Sequence, residues 1–242
     1  MKILAIDAGN TRIKWGLNQD GGWLIAAAIA TDEAPTLRRA LAAVPRADRI
    51  VIANVAGPGV AEIIGAALGG AAQPQWVVSR TEQCGVRSGY AEPSQLGADR
   101  WAALIAARNL YDGACAVVNA GTTMTVDALS ADGVFLGGFI VPGVELMREA
   151  LARNTAQLVQ QAGEFSFFPD KTGDAIVSGS LNALAGAVDR MLGYMIEAGE
   201  EDPFVVISGG NAPLLEPRLA GRVEAVEKLV LEGLAVIGAS GV

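Results

Sequence analysis

The chain passes twice through the same short pattern. Residues 3–17, "ILAIDAGNTRIKWGL", carry an apolar stretch into one polar residue, a small-residue turn and an alternating stretch, and residues 115–129, "CAVVNAGTTMTVDAL", repeat it. Overlaid, Asp7 falls on Asn119, Ala8-Gly9 on Ala120-Gly121, Asn10 on Thr122 and Thr11 on Thr123. Branched apolar residues before each turn and alternation after it read as two strands. In "DAGNT" the linking residues Gly9 and Asn10 tolerate positive φ, so the unit is a β-hairpin. That hairpin constrains the fold, because Rossmann and Walker nucleotide loops need a helix directly after their glycines. Neither GxGxxG nor GxxxxGK[ST] occurs here, and both architectures are excluded.

The remaining pattern alternates. "TLRRALAAV" (36–44) and "GVAEIIGAAL" (59–68) have helical spacing, while "RIVIANV" (49–55) and "QWVVS" (75–79) read as strands. "RWAALIAARNLYDG" (100–113) reads as an amphipathic helix capped by Gly113. After the second hairpin come "GGFIVPG", a helix over 143–153, the polar and aromatic loop "GEFSFFPDKTGDA", and a long helix to residue 199. "PFVVISGGNA" is a strand ending in Gly209 and Gly210, followed by a short helix and the terminal "LEGLAVIGAS". Strands alternating with helices, built on a repeated hairpin, predict an α/β protein of two related mixed-sheet halves.

A glycine turn between antiparallel strands points backbone N–H groups outward, a nest suited to phosphate oxygens. Asp7 would then face the phosphates and hold Mg²⁺ through water. The same features also suit ordinary turns, with Asp7 a local cap. A strand ending in Gly-Gly lets a flat ligand lie on the backbone, and equally serves a strand-to-helix turn. In "YAEPSQLGADRW" (90–101), Asp99 and Arg100 stand where a polar loop enters a helix. Asp99 there is either a helix N-cap or a base, and Arg100 either forks onto an anion or pairs with Asp99 at the surface.

Composition narrows the chemistry. The 242 residues contain no histidine, which excludes imidazole bases, His-based triads and His-ligated zinc. Proton transfer near neutral pH therefore falls mainly to a carboxylate, tyrosine, lysine or cysteine. A net charge of −8 without a basic run argues against nucleic acid or an anionic membrane as partner. The longest apolar run, "WLIAAAIA" at 23–30, is too short for a bilayer. Cys84 and Cys115 form no disulfide framework, and the chain reads as cytoplasmic.

Two phosphate hairpins followed by a strand ending in Gly-Gly resemble the actin-like (ribonuclease H-like) ATPase and sugar kinase superfamily. More narrowly, "DAGNTRIKW", "LGADRWAAL", "NAGTTMTVD" with "GGFIVPG", and "SGGNA" resemble type III pantothenate kinase over almost the whole chain. The resemblance implies a duplicated actin-like fold, with residues 1–113 and 114–242 as its halves and a nucleotide cleft between them. It implies Mg²⁺ with ATP as cofactor, pantothenate as acceptor and a homodimer. Nucleotide contacts fall on Asp7, Ala8, Gly9, Asn10, Thr11, Arg12, Ile13, Lys14, Thr122, Gly209 and Gly210. Asp99 inherits the role of base. Acceptor contacts fall on Tyr90, Gly97, Ala98, Asp99, Arg100 and Thr172, although Tyr90 also suits a half-buried aromatic and Thr172 an N-cap. Family members depend on K⁺ or NH₄⁺ held by an Asp at the start of the second hairpin. Asn119 replaces it here, which weakens the attraction for that cation. A kinase for another small alcohol and a non-enzymatic ATP-binding regulator share the same fold and stand as alternatives.

Overall fold

The structure, a computed structural model, describes residues 1–70, 73–155 and 162–241. The chain divides into two compact units. One comprises Met1–Asp112, Gly133–Phe135 and Lys228–Val242, and the other Gly113–Asp132 and Leu136–Glu227.

In the first unit, β1 (Lys2–Ala8), β2 (Arg12–Gln19) and β3 (Gly22–Ala30) form a meander, followed by α1 (Leu37–Leu41), β4 (Arg49–Asn54), α2 (Pro58–Leu68) and β5 (Gln75–Trp76). The sheet order is β3-β2-β1-β4-β5, with β1 antiparallel to β2 and parallel to β4. Central β1 is buried from Ile3 to Ala8, as a strand covered on both faces must be. One face carries Leu4, Ile6, Ile13, Trp15 and Ile52 against Leu37 of α1 and Ile64 of α2. β6 (Glu82–Gln83) and β7 (Val86–Ser88) then lead to α3 (Ala98–Leu110), pinned where the buried Trp101 Nε1 donates to Gln83 Oε1 at 2.9 Å.

The second unit is built alike from β8 (Cys115–Ala120), β9 (Thr123–Leu129), β10 (Val134–Pro142), α4 (Val144–Asn154), α5 (Thr172–Glu197), β11 (Phe204–Ser208), α6 (Ala212–Leu215) and β12 (Val223–Ala225). The sheet that holds β8 has seven strands in the order β12-β11-β8-β9-β10-β7-β6, and β8 takes the place of β1, between an antiparallel hairpin partner and parallel β11. Leu181, Leu184, Val188 and Met191 of α5 pack on Val118, Val126, Val205 and Ile207 of this sheet.

The last helix, α7 (Leu229–Ser240), belongs to the first unit, whereas the sequence places it in the second half. Its apolar face rests on α3 and β1. Gly233 has no side chain because a Cβ there would meet the Ala102 carbonyl. Trp23 Nε1 donates to Glu232 Oε1 at 2.6 Å, and Arg49 Nη1 to the Gly238 carbonyl at 2.7 Å.

That cover corrects the reading of α3. The helix is not amphipathic: Ala98 and every residue from Arg100 to Ala107 are buried. It ends at Leu110 with Tyr111 extended, two residues short of the expected glycine cap. Two other elements are shorter than their patterns. The segment before α1 winds as a 3₁₀ turn over Thr31–Thr36, and β5 pairs only Gln75 and Trp76 before Val78 turns outward, 56% exposed.

Candidate active site

Asp7 ends the apolar run of β1 and is 7% exposed. Directly across the hairpin stands Lys14, half-buried. Burial pushes the Asp7 carboxyl up to about 7; the Lys14 charge opposes that rise and the Asp99 charge adds to it. Asp7, Lys14 and Asp99 thus share one electrostatic neighbourhood. Asn10, Thr11 and Arg12 are exposed at the tip, while the Ala8 and Ile13 side chains are fully buried, leaving those two only backbone groups to offer a ligand.

The turn is not the one its glycine suggests. Neither Gly9 nor Asn10 takes a positive φ. The loop closes by a bond from Gly9 N–H to the Arg12 carbonyl at 3.0 Å. Its counterpart closes from Gly121 N–H to the Thr123 carbonyl at 3.0 Å, one residue sooner. Ala8 faces Ile13, whereas Ala120 faces Met124. The overlay of Thr11 on Thr123 therefore fails: the repeat holds through the glycine, and then the first hairpin carries one extra residue.

Both tips are tied back through three carbonyls. In the first, the carbonyls of Ala8, Gly9 and Thr11 accept from Val55 N–H (2.9 Å), Thr31 Oγ1 (2.8 Å) and Thr31 N–H (3.0 Å). In the second, those of Ala120, Gly121 and Thr122 accept from Asn211 N–H (2.9 Å), Asn211 Nδ2 (3.1 Å) and Gly143 N–H (2.9 Å). A trans peptide points its C=O and the following N–H in opposite directions, so Thr122 and Thr123 N–H face away from these ties. Gly209 makes the approach possible. Its φ is +105°, and a Cβ there would strike the Ala120 carbonyl. Gly210 beside it and Thr122 at the tip are exposed.

Asp99 is not an N-cap. Gly97 caps α3, Ala98 opens it, and Asp99 is the second residue of the first turn. Its Oδ1 accepts the Arg100 N–H at 2.8 Å and folds back over Gly97, where a Cβ would lie 2.6 Å away. Burial raises the Asp99 carboxyl above the usual range, against the Arg100 N–H and the Arg100 charge. Nor is Arg100 a surface residue, being 7% exposed. Its Nη1 lies 3.4 Å from Tyr90 Oη and its guanidinium 5.8 Å from the centre of the Phe135 ring, which sits 5.0 Å from the Tyr90 ring.

Thr172 stands in the second unit, at the first position of α5 with Lys171 as N-cap, so it does not cap that helix itself. It borders a cavity of about 630 Å³ lined by Pro142, Met147, Leu151, Ala175 and Ile176. The structure thus gathers Asp7, Lys14, Asp99, Arg100 and Tyr90 in the first unit, and Asn119, Thr122, Gly209 and Gly210 in the second. Phe135, Thr31 and Asn211 escape sequence reasoning. Only Asn211 leaves a signal, as the polar residue after Gly-Gly. Among the described residues no three acidic or sulfur side chains cluster as a metal cage, and no helix is long and apolar enough to cross a membrane.

Comparison with known proteins gives the fold and the family. A Campylobacter jejuni protein named for the Baf family of transcriptional activators has the same fold, with a TM-score of 0.61, 20% identity and 98% of each chain covered. So does a Sinorhizobium meliloti protein named as a 2-dehydro-3-deoxygalactonokinase, with a TM-score of 0.60, 19% identity and 98% of each chain covered. The fold is that of the actin-like ATPases and sugar kinases. The type III pantothenate kinase of Aromatoleum aromaticum is 50% identical over 236 residues, covering 97% of both chains. The family model for type III pantothenate kinase matches residues 3–193, and the chain belongs to that family.

Proposed function

We propose that the protein transfers the γ-phosphoryl group of ATP to the primary hydroxyl of pantothenate, giving 4′-phosphopantothenate for coenzyme A synthesis. The observation that carries this reading is Asp99: a half-buried carboxylate of raised proton affinity, fixed by its own helix turn, beside a buried arginine.

Phosphoryl transfer passes through a loose transition state, so the protein mainly positions reactants and balances charge. Asp99 orients the acceptor hydroxyl and takes its proton late, and a carboxyl pushed upward by burial is the better base near neutral pH. The hydroxyl oxygen bonds to the γ-phosphorus as the bond to the β,γ-bridging oxygen breaks, and ADP leaves. Arg100 offers its guanidinium to the pantothenate carboxylate, and Tyr90 and Thr172 complete the acceptor contacts. Gly97 and Ala98 hold the turn that presents Asp99.

On the nucleotide side, the first hairpin from Asp7 to Lys14 meets the phosphates, joined by Thr122 and by Gly209 and Gly210. Asp7 suits Mg²⁺. Its carboxyl resists ionisation where it is buried, and a cation reverses that. One or two carboxylates, with water and phosphate oxygens, are what Mg²⁺ usually takes. Held there with ATP, Mg²⁺ would supply positive charge to balance the phosphates. Asn119 offers an amide oxygen to K⁺ or NH₄⁺, with less attraction than a carboxylate. Exposed Phe167 and Phe168, together with the apolar cavity between α4 and α5, support a homodimer. The enzyme works in the cytoplasm, and the two compact units correspond to the two actin-like halves.

A coupled assay of ADP release tests the reading. Release should require pantothenate. Equal release without it, or with another alcohol in its place, overturns the assignment.

A further inference from the structure

Gly133–Phe135 follows the second hairpin in sequence yet packs within the first unit. There it clamps the segment that leads into Tyr90. The Gly133 carbonyl accepts from Arg87 N–H at 2.9 Å and the Phe135 carbonyl from Gly89 N–H at 2.8 Å, while Val134 and Phe135 pair with Arg87 and Ser88 of β7. Gly133 itself sits at φ +78°, where a Cβ would meet the Gly85 carbonyl.

The Phe135 side chain is fully buried, with the Tyr90 ring 5.0 Å from its centre at 48° and the Arg100 guanidinium 5.8 Å from it. An aromatic ring offers a planar face to a second ring and an electron-rich face to a guanidinium, with weak but directional preferences. Tyr90 and Arg100 come from different elements, and their mutual contact is long at 3.4 Å. Phe135 is the rigid group that both of them touch.

We infer that Phe135 is a positioning residue for the acceptor pocket, setting the plane of Tyr90 and the aim of Arg100 toward the substrate carboxylate. This rests on the assignment of Tyr90 and Arg100 to the acceptor. Phe135 itself touches no reacting atom. A leucine would fill much of the volume but present no ring face, so the site would keep its core and lose its alignment.

The test is steady-state kinetics of the full chain. Phe135→Leu should raise KM for pantothenate about tenfold, with KM for ATP within about twofold of wild type. Combined with Tyr90→Leu, the two effects on pantothenate KM should fall short of additive, because the second change removes what the first would misplace. Phe135→Tyr, which keeps the ring, should restore most of the pantothenate KM. Unchanged KM values with only a lowered Tm would reduce Phe135 to a core residue and overturn the inference, as would equal rises in both KM values. Wild-type turnover of pantothenate, measured alongside, separates failure of this inference from failure of the proposed reaction.

Discussion

The two hairpins share a backbone and differ in charge. Each follows a strand set between its antiparallel hairpin partner and a parallel neighbour, and each has three tip carbonyls held by donors from the segments that flank it. At the matching position before the glycine, the first has Asp7 opposite Lys14 and the second has Asn119 opposite Thr125. The second hairpin shows that the scaffold forms with a neutral residue there. The buried carboxylate of the first is therefore not a requirement of folding. It is a local cost, and costs of this kind concentrate at functional sites.

The largest effect should come from removing the proposed base, Asp99. Asp99→Asn keeps an oxygen for the Arg100 N–H and loses the proton acceptor. Turnover should fall about a thousandfold, with circular dichroism and ATP affinity close to wild type. Near-normal turnover would leave Asp99 a structural residue of the first turn and remove the chemical reason for the asymmetry.

Asp7→Asn converts the first hairpin to the charge state of the second. It should lower kcat/KM for Mg·ATP about a hundredfold and leave KM for pantothenate near wild type. Its stability should move the other way. The folded Asp7 carboxyl holds its proton to about pH 7, against an ordinary value of 3.8, so the native state binds the extra proton. That contribution is complete at low pH and is lost as pH rises from about 4 to 7. Above pH 7 the wild type buries a charge that the amide variant lacks. In ligand-free protein at pH 8 the variant should be more stable by roughly 4 kcal/mol, a gap that closes toward pH 4. Chemical denaturation across that range checks it, and a gap independent of pH would mean that Asp7 does not titrate with folding.

The ties at the tips offer a smaller contrast. Thr31→Val removes the hydroxyl donor to the Gly9 carbonyl, and Asn211→Ala the amide donor to Gly121. Each should cost about 1 kcal/mol in denaturant titrations, since the carbonyls lie near solvent. A much larger loss for one variant would show that the two tips are not held equivalently.

Much of this was legible in the sequence for a physical reason. Period-2 and branched apolar patterns report burial directly, so β1, β2, β4 and β11 appear almost at their true bounds, as does α2. The hairpin glycines were visible as well, but not their conformation. A turn's φ depends on loop length, and the extra residue of the first tip shows only in the pairing of Ala8 with Ile13. Asp99 was found by its motif, yet its place at the second position of α3 depends on Gly97 taking the cap. The burial of α3 on nearly every side was hidden because α7, which covers it, lies more than a hundred residues away in sequence. Phe135 was hidden likewise. A lone phenylalanine in a strand looks like core, and only the fold brings Tyr90 and Arg100 to its ring.

The reverse swap, Asn119→Asp, should have the smallest effect and probe the second hairpin most directly. The new carboxylate would face Thr125 and not a lysine, so no cation of the protein stands directly across the hairpin to balance it. Asn119 is half-buried, and a charge there gains from any monovalent cation that shares the site. If K⁺ binds at this position, the concentration for half-maximal rate should fall about threefold, the equivalent of roughly 0.7 kcal/mol. The amide of the wild type coordinates through its oxygen but contributes only a dipole, and it also has an NH₂ to donate to a phosphate oxygen. The carboxylate loses that donor, so KM for ATP should rise slightly while K⁺ affinity improves. Initial rates across a K⁺ titration in buffer free of NH₄⁺ resolve the two changes. A K⁺ requirement identical in both proteins would place the cation elsewhere, and the difference between Asp7 and Asn119 would then concern phosphate contacts alone.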